Sequence, residues 1–166
     1  MRIISIDPGY ERLGIAILEK NPREKGVPAG RQEKLLFSEC FQTSAEIPFS
    51  ERLHQLGLEI RKIIEEYKPE QLAFEKLFFN TNTTTALHVA EVRGVISYEA
   101  SLHGITIFEY SPSQIKVAVA GDGHADKKQV WTMVGKLLHI EKKIEFDDEY
   151  DAIATGLTHF AHHNVA

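Results

Sequence analysis

Cysteine is almost absent from this sequence. Cys40 stands alone among 166 residues, which excludes an intrachain disulfide and any cysteine-based zinc site. Inside the β-like run from Leu35 to Phe41 it reads as a small core residue. Long apolar runs are missing too. None approaches the roughly 18 residues of a membrane-spanning helix, and the first residues alternate like a strand instead of forming a signal peptide. A cytoplasmic protein with no membrane partner is expected. Positive charge is scarce: 19 Lys and Arg stand against 24 Asp and Glu, a net charge of −5. A broadly cationic surface is thereby excluded, so any phosphate-binding face must be a local patch. No internal repeat or low-complexity segment occurs. With 43% hydrophobic and 26% charged residues, the chain reads as neither disordered nor membrane-inserted, and its length suits one compact domain over residues 1–166.

What is present falls into two halves with different periods. Met1 to Asp7 is a β-branched run ended by Pro8-Gly9, a strand that delivers its last side chain to a turn. Leu13 to Glu19 forms a second strand, and residues 20–32, rich in charge, Gly and Pro, suit a solvated loop before a third strand at about 33–42. The period then changes. Phe49, Leu53, Leu56, Ile60, Ile63 and Tyr67 recur at helical spacing, and Pro69 stops that helix. Gln71 to Glu75 is a short strand, a helix follows over about 83–102, and Ile105 to Glu109 is a fifth strand, buried on both faces if parallel. Two helical stretches close the chain, one running to about 138 with Val130, Met133, Val134, Leu137 and Leu138 as its apolar face, the other from Asp148 to about 162. A meander followed by alternating helices and strands predicts an α/β fold: a five-stranded mixed sheet, first antiparallel and then parallel, with helices on both faces.

Two of the strands end in an acid, Asp7 and Glu75. Ligands of α/β sheets gather beyond the carboxyl ends of strands, so parallel neighbours would bring these two together. Asp148 and Asp151, three residues apart, share one face of the last helix, while Ile153, Leu157 and Phe160 pin its other side to the sheet. Four such carboxylates repel unless a cation neutralises them. Oxygen-only donors suit Mg²⁺, with Mn²⁺ able to substitute. Two ions about 4 Å apart would activate a water and stabilise the leaving oxygen of a phosphodiester. Each acid also has a plainer reading. Asp7 suits an ordinary turn and Asp148 a helix N-terminus, where Asp147 and Glu149 read as surface acids. Glu75 after Leu-Ala-Phe and Asp151 in Tyr-Asp-Ala-Ile-Ala fit a surface role less well.

Five segments in order resemble the RuvC resolvases of the ribonuclease H-like superfamily. They are Ile6-Asp7-Pro8-Gly9 with Gly14, Phe74-Glu75-Lys76-Leu77-Phe78-Phe79, Tyr110-Ser-Pro-Ser-Gln-Ile-Lys116, Gly121-Asp-Gly-His-Ala-Asp-Lys127-Lys-Gln-Val, and Asp148-Glu-Tyr-Asp151-Ala-Ile-Ala. The resemblance implies a homodimer that cuts two strands of a four-way (Holliday) DNA junction, leaving 5′-phosphate and 3′-hydroxyl ends. Branch-migration helicase components would be further partners, with nucleoid association in a prokaryote. By motif position it implies that Asp7, Glu75, Asp148 and Asp151 are catalytic and metal-binding. Lys116 and Lys127 would lie near the scissile phosphate, and Phe78 near the bases at the junction centre.

Chemistry is compatible with those roles. Lys127 and Lys128 in the first turn of a helix oppose its dipole and so suggest a nearby anion, although solvated lysines fit as well. Phe78 or Phe79 could stack on an unpaired base or be buried in the core. Arg93, Lys116, Lys127 and Lys128 are the candidates for a local phosphate track. His124, in a Gly-rich turn, is an open candidate for a phosphate contact, whereas His159, His162 and His163 read as structural or solvated. Ala86, Ala90, Gly94, Ser97 and Ser101 form a stripe of small side chains that permits close packing within the fold or across a dimer axis. Alternatives are a related nuclease acting on other branched or single-stranded nucleic acid, a non-catalytic junction-binding module, and an actin-like ATP-using domain, which a single domain of this length disfavours.

Overall fold

The structure, a computed structural model, describes residues 1–21, 32–77 and 83–163. Phe78, Phe79 and most of the loop at 20–32 lie outside the described residues. The elements run β1 (Arg2–Asp7), β2 (Arg12–Lys20), β3 (Glu33–Gln42), α1 (Phe49–Tyr67), β4 (Gln71–Glu75), α2 (Thr83–Leu102), β5 (Thr106–Tyr110), α3 (Pro112–Ala120), α4 (Lys127–Leu137) and α5 (Asp147–His162). The strands make one sheet in the order β3-β2-β1-β4-β5. β1 to β3 form an antiparallel meander, and β4 and β5 add parallel to it.

Strand alternation divides the core in two. Ile4 and Ile6 of β1, with Leu13, Ile15 and Ile17 of β2, pack under α1 and α2. Ile3, Ala16, Leu18 and Ala73 point to the other face and meet Ile153, Leu157 and Phe160 of α5 together with residues of α3 and α4. Helix α5 lies close against this face because two glycines let it. A Cβ on Gly14 would fall 1.9 Å from the carbonyl oxygen of Asp148, and one on Gly156 2.7 Å from Ser5 Oγ. Helix α5 therefore rests directly on β1 and β2, with its N-terminus at Gly14 beside the carboxyl end of β1.

Three expectations need correction. Strand β5 is not buried on both faces: it ends the sheet, only β4 pairs with it, and most of its side chains are exposed or half-buried. Three helices close the chain where two were expected, α3 preceding the helix that Lys127 opens. Ser111 caps α3 reciprocally with Gln114 behind Pro112, Gly121 ends it at φ 77°, and Asp126 begins α4 with a second capping box through Gln129. Glu149 is not a surface acid but is buried, hydrogen-bonded by Ser38 Oγ at 2.5 Å and paired with Lys142. Among the described residues no helix is long and apolar enough to cross a membrane.

Candidate active site

The period-2 logic of the sheet decides where the first two acids point. Asp7 follows Ile3 and Ser5 along one side of β1, and Glu75 follows Ala73 along the same side of β4. Since Ile6 pairs with Phe74 in the parallel ladder, both acids stand one residue beyond that pair, at the carboxyl ends of adjacent strands. Both project to the face that α5 covers. Across the antiparallel ladder Asp7 pairs with Gly14, and Gly14 with Cys40. The bare Gly14 is where the first turn of α5 sits, so Asp148 is set down between Asp7 and Cys40. Cys40 Sγ lies 3.9 Å from Asp148 Oδ2. Cys40 is thus half-buried beside the acids instead of in the core, and burial followed by the Asp148 charge pushes its thiol up to about 11.

The acids feel one another. Burial, then the charges of Asp151, Glu75 and Asp148, push the Asp7 carboxyl up to about 8. Burial and Asp151 also raise Glu75, against the opposing pull of Lys127 and Lys116. Burial raises Asp148, and its backbone hydrogen bond and Arg12 oppose the shift.

Two cations answer part of this charge. Lys127 Nζ lies 2.9 Å from Asp151 Oδ2 and 3.2 Å from Asp147 Oδ2. Burial works against its ammonium, but those bonds outweigh it and raise Lys127 above the usual lysine range. Arg12 Nε lies 3.2 Å from Asp148 Oδ2 and stacks over Phe146. The anion that the two helix-opening lysines suggest is therefore found for Lys127. Lys128 is exposed on the outside of the same turn.

Arg93 occupies a different place from the one the sequence suggests. Its guanidinium donates to the Glu75 carbonyl oxygen at 2.7 Å, pairs with Glu109 and lies over the Phe74 ring at 4.3 Å. With its side chain only 12% exposed, it braces the end of β4 and has little surface to offer a phosphate track. Lys116 is half-buried on α3, within electrostatic reach of Glu75. His124 is exposed in the turn before α4, its backbone N–H donating to Asp122 Oδ1. His159 is fully buried and structural: its ring nitrogens meet Tyr110 Oη at 2.8 Å and Gln71 Oε1 at 2.6 Å, and burial lowers it to about 4. Sequence reasoning missed Arg12, Asp147 and Trp131, whose indole N–H donates to Asp151 Oδ1 at 3.1 Å. The Asp147-Asp148 doublet was the one available signal for the second acid.

The donor chemistry suits a hard divalent cation: carboxylates face one another from two strand ends and a helix, and Asp7 is raised by burial and then by the other three. The acids share an electrostatic neighbourhood and not a finished coordination shell, since among the described residues no three His, Cys, Asp or Glu side chains are gathered closely enough to hold a metal ion. Lys127 bridges Asp147 and Asp151.

Known proteins resemble this chain over almost its whole length. The family model for crossover junction endodeoxyribonuclease RuvC matches residues 3–159. The RuvC of Alkaliphilus metalliredigens is 40% identical over 159 residues, 96% of this chain and 92% of that protein. Among solved structures, Thermus thermophilus RuvC in complex with a Holliday junction substrate superposes with a TM-score of 0.87 at 30% identity, covering 98% of this chain and 94% of that one. The yeast mitochondrial Holliday junction resolvase Ydc2, at 14% identity and a TM-score of 0.65 over 96% of this chain and 78% of that one, shares the fold. With residues 3–159 matched by the family model and 96% of its length aligned to a 40% identical relative, this chain belongs to the RuvC family.

Proposed function

We propose that this chain, as one nuclease domain over residues 1–166, resolves four-way DNA junctions by metal-dependent phosphodiester hydrolysis that leaves 5′-phosphate and 3′-hydroxyl ends. The observation that carries the reading is the common direction of Asp7 and Glu75 toward the helix that bears Asp148 and Asp151, with Asp7 raised to about 8 by burial and then by those neighbours. Those four carboxylates would hold Mg²⁺, two ions per site, with Mn²⁺ as a substitute. When bound, such ions supply a nucleophilic water and neutralise charge on the leaving oxygen.

The remaining roles fall to the chain's own groups. Arg12 holds Asp148 and keeps α5 seated on the meander. Arg93 fixes the backbone that presents Glu75. Lys127, displaced from Asp151 when metal binds, is placed to pair with the scissile phosphate, and Lys116 flanks it from α3. Lys128 extends this cationic track outward, and Phe78 or Phe79, just beyond β4, would meet bases near the junction centre. These few cations offset the net charge of −5 locally.

A junction presents two equivalent strands, so an isologous dimer would set one site on each. Support comes from α2, where Leu87, Tyr98 and Leu102 are 62%, 62% and 58% exposed at helical spacing around an unobstructed Gly94. The small-residue stripe is partly exposed on this helix, which favours packing across a dimer axis over packing within the fold. Branch-migration helicase components, at the nucleoid of a prokaryote, would be the further partners.

A panel of synthetic junctions, flaps, duplex and RNA hybrids, incubated with Mg²⁺, tests the assignment. Paired symmetric nicks in the junction, lost in Asp7→Asn, are expected. Preferential cutting of flaps or hybrids would assign the chain to another branched or single-stranded substrate. Junction binding without cleavage in either Mg²⁺ or Mn²⁺ would make it a binding module.

A further inference from the structure

Asp151 is held at both oxygens by donors of different kinds. Lys127 Nζ meets Oδ2 at 2.9 Å, and the Trp131 indole N–H meets Oδ1 at 3.1 Å. Both come from one face of α4, being four residues apart. The Lys127 side chain is 61% exposed and its charge is of the sign that a divalent ion would replace. Trp131 is half-buried and braced, its ring stacked on Tyr150 with centroids 5.6 Å apart and planes 21° apart, while Lys127 Nζ lies 5.7 Å above it. An indole nitrogen donates one hydrogen bond and accepts none. It can neither ligate a metal nor take the proton, so all it can do to this carboxylate is orient it. Trp131 is also the only tryptophan in the chain.

We propose that Trp131 is the positioning residue for Asp151: its N–H fixes Oδ1, so that Oδ2 faces the cation site whether Lys127 or a divalent ion occupies it. This rests on the metal role proposed above for Asp151. Donors behind a metal-binding carboxylate fix its rotamer, and their removal typically weakens metal binding by about 10–100-fold. Without the indole N–H, Asp151 is held only by the exposed Lys127 ammonium, and each metal-binding event must first re-order it.

The test is direct Mn²⁺ binding to the whole chain without DNA, by calorimetric titration and by the paramagnetic signal of free Mn²⁺, with metal-free melting temperatures recorded alongside. Four proteins are compared: wild type, Trp131→Phe, Trp131→Gln and Asp151→Asn. Trp131→Phe keeps the ring and its stack but loses the donor. Trp131→Gln loses the ring but restores an N–H donor the same number of bonds from Cα. Positioning predicts Mn²⁺ affinity about tenfold weaker in Trp131→Phe and largely recovered in Trp131→Gln, even though the glutamine variant has the lower melting temperature. A merely structural role predicts the reverse order, with affinity following melting temperature, and that result overturns the proposal, as does wild-type affinity in Trp131→Phe. If Asp151→Asn itself binds Mn²⁺ like wild type, the metal role of Asp151 is what fails. Loss in Asp151→Asn with no loss in Trp131→Phe rejects the positioning role alone.

Discussion

Removing the Asp7 charge should stabilise the metal-free protein. The Asp7 carboxyl is pushed from 3.8 to about 8, first by burial and then by Asp151, Glu75 and Asp148. The folded chain thus keeps a proton that the unfolded chain has released. Folding stability therefore declines as pH rises between about 4 and about 8, because the native state is the one that binds more protons there. At pH 7 about three pKa units of that interval have been crossed, a ceiling near 4 kcal/mol at ~1.36 kcal/mol per unit. Relaxation and water near the site reduce it to about half, or ~2 kcal/mol. For a chain of this size that corresponds to roughly 4–8 °C in melting temperature. Asp7→Asn keeps the shape and removes the charge. Thermal melts in chelator across pH 4 to 9 should show the variant melting higher than wild type at pH 7 to 8 and converging with it near pH 4. Adding Mg²⁺ should raise wild type and leave Asp7→Asn nearly unmoved. A variant equal to or below wild type in chelator at pH 8 would refute the claim that burial and the neighbouring acids disfavour a charge on Asp7 in the native state.

Glu75→Gln should retain junction binding while cleavage falls by roughly a thousandfold, the several kcal/mol that a lost metal ligand costs at ~1.4 kcal/mol per tenfold; gel shift and nicking assays read the two separately. Reversing Lys116 and Lys127 to Glu should weaken junction binding and flatten its salt dependence by about one phosphate contact per lysine, measured from affinity against salt concentration. Gly14→Ala would drive a methyl group to 1.9 Å from the Asp148 carbonyl oxygen, and should cost about 1–3 kcal/mol in denaturant melts and more than proportionate activity, since Asp148 moves with α5. Tyr98→Glu on the exposed face of α2 should shift sedimentation toward monomer and convert paired junction cuts into single nicks.

Much of the site was legible because it is built from regular spacing. Alternation along β1 and β4 places Asp7 and Glu75, and the three-residue step from Asp148 to Asp151 places the helical pair. The fold followed from the change of period after residue 42. What escaped reading depends on contacts between distant segments. Nothing local distinguishes Glu149, buried on Ser38 and Lys142, from the solvated acid expected at a helix start. Arg93 reads as a free cation until Glu109 and the Glu75 carbonyl oxygen are brought to it across the β4–β5 ladder. β5 is as apolar as a central strand, yet topology leaves it at the edge, and no single-strand pattern encodes that position. Trp131 stands outside the apolar face read for its helix, and its role exists only where α4 meets α5.

The central claim is that carboxylates from β1, β4 and α5 share divalent cations. Crystals soaked in Mn²⁺ and measured at the manganese absorption edge test it most directly. The account predicts anomalous density among Asp7, Glu75, Asp148 and Asp151, with Lys127 withdrawn from Asp151 and the density lost in Asp7→Asn. Ordered crystals without anomalous density at these residues, and with Lys127 still bound to Asp151 at saturating Mn²⁺, would contradict it.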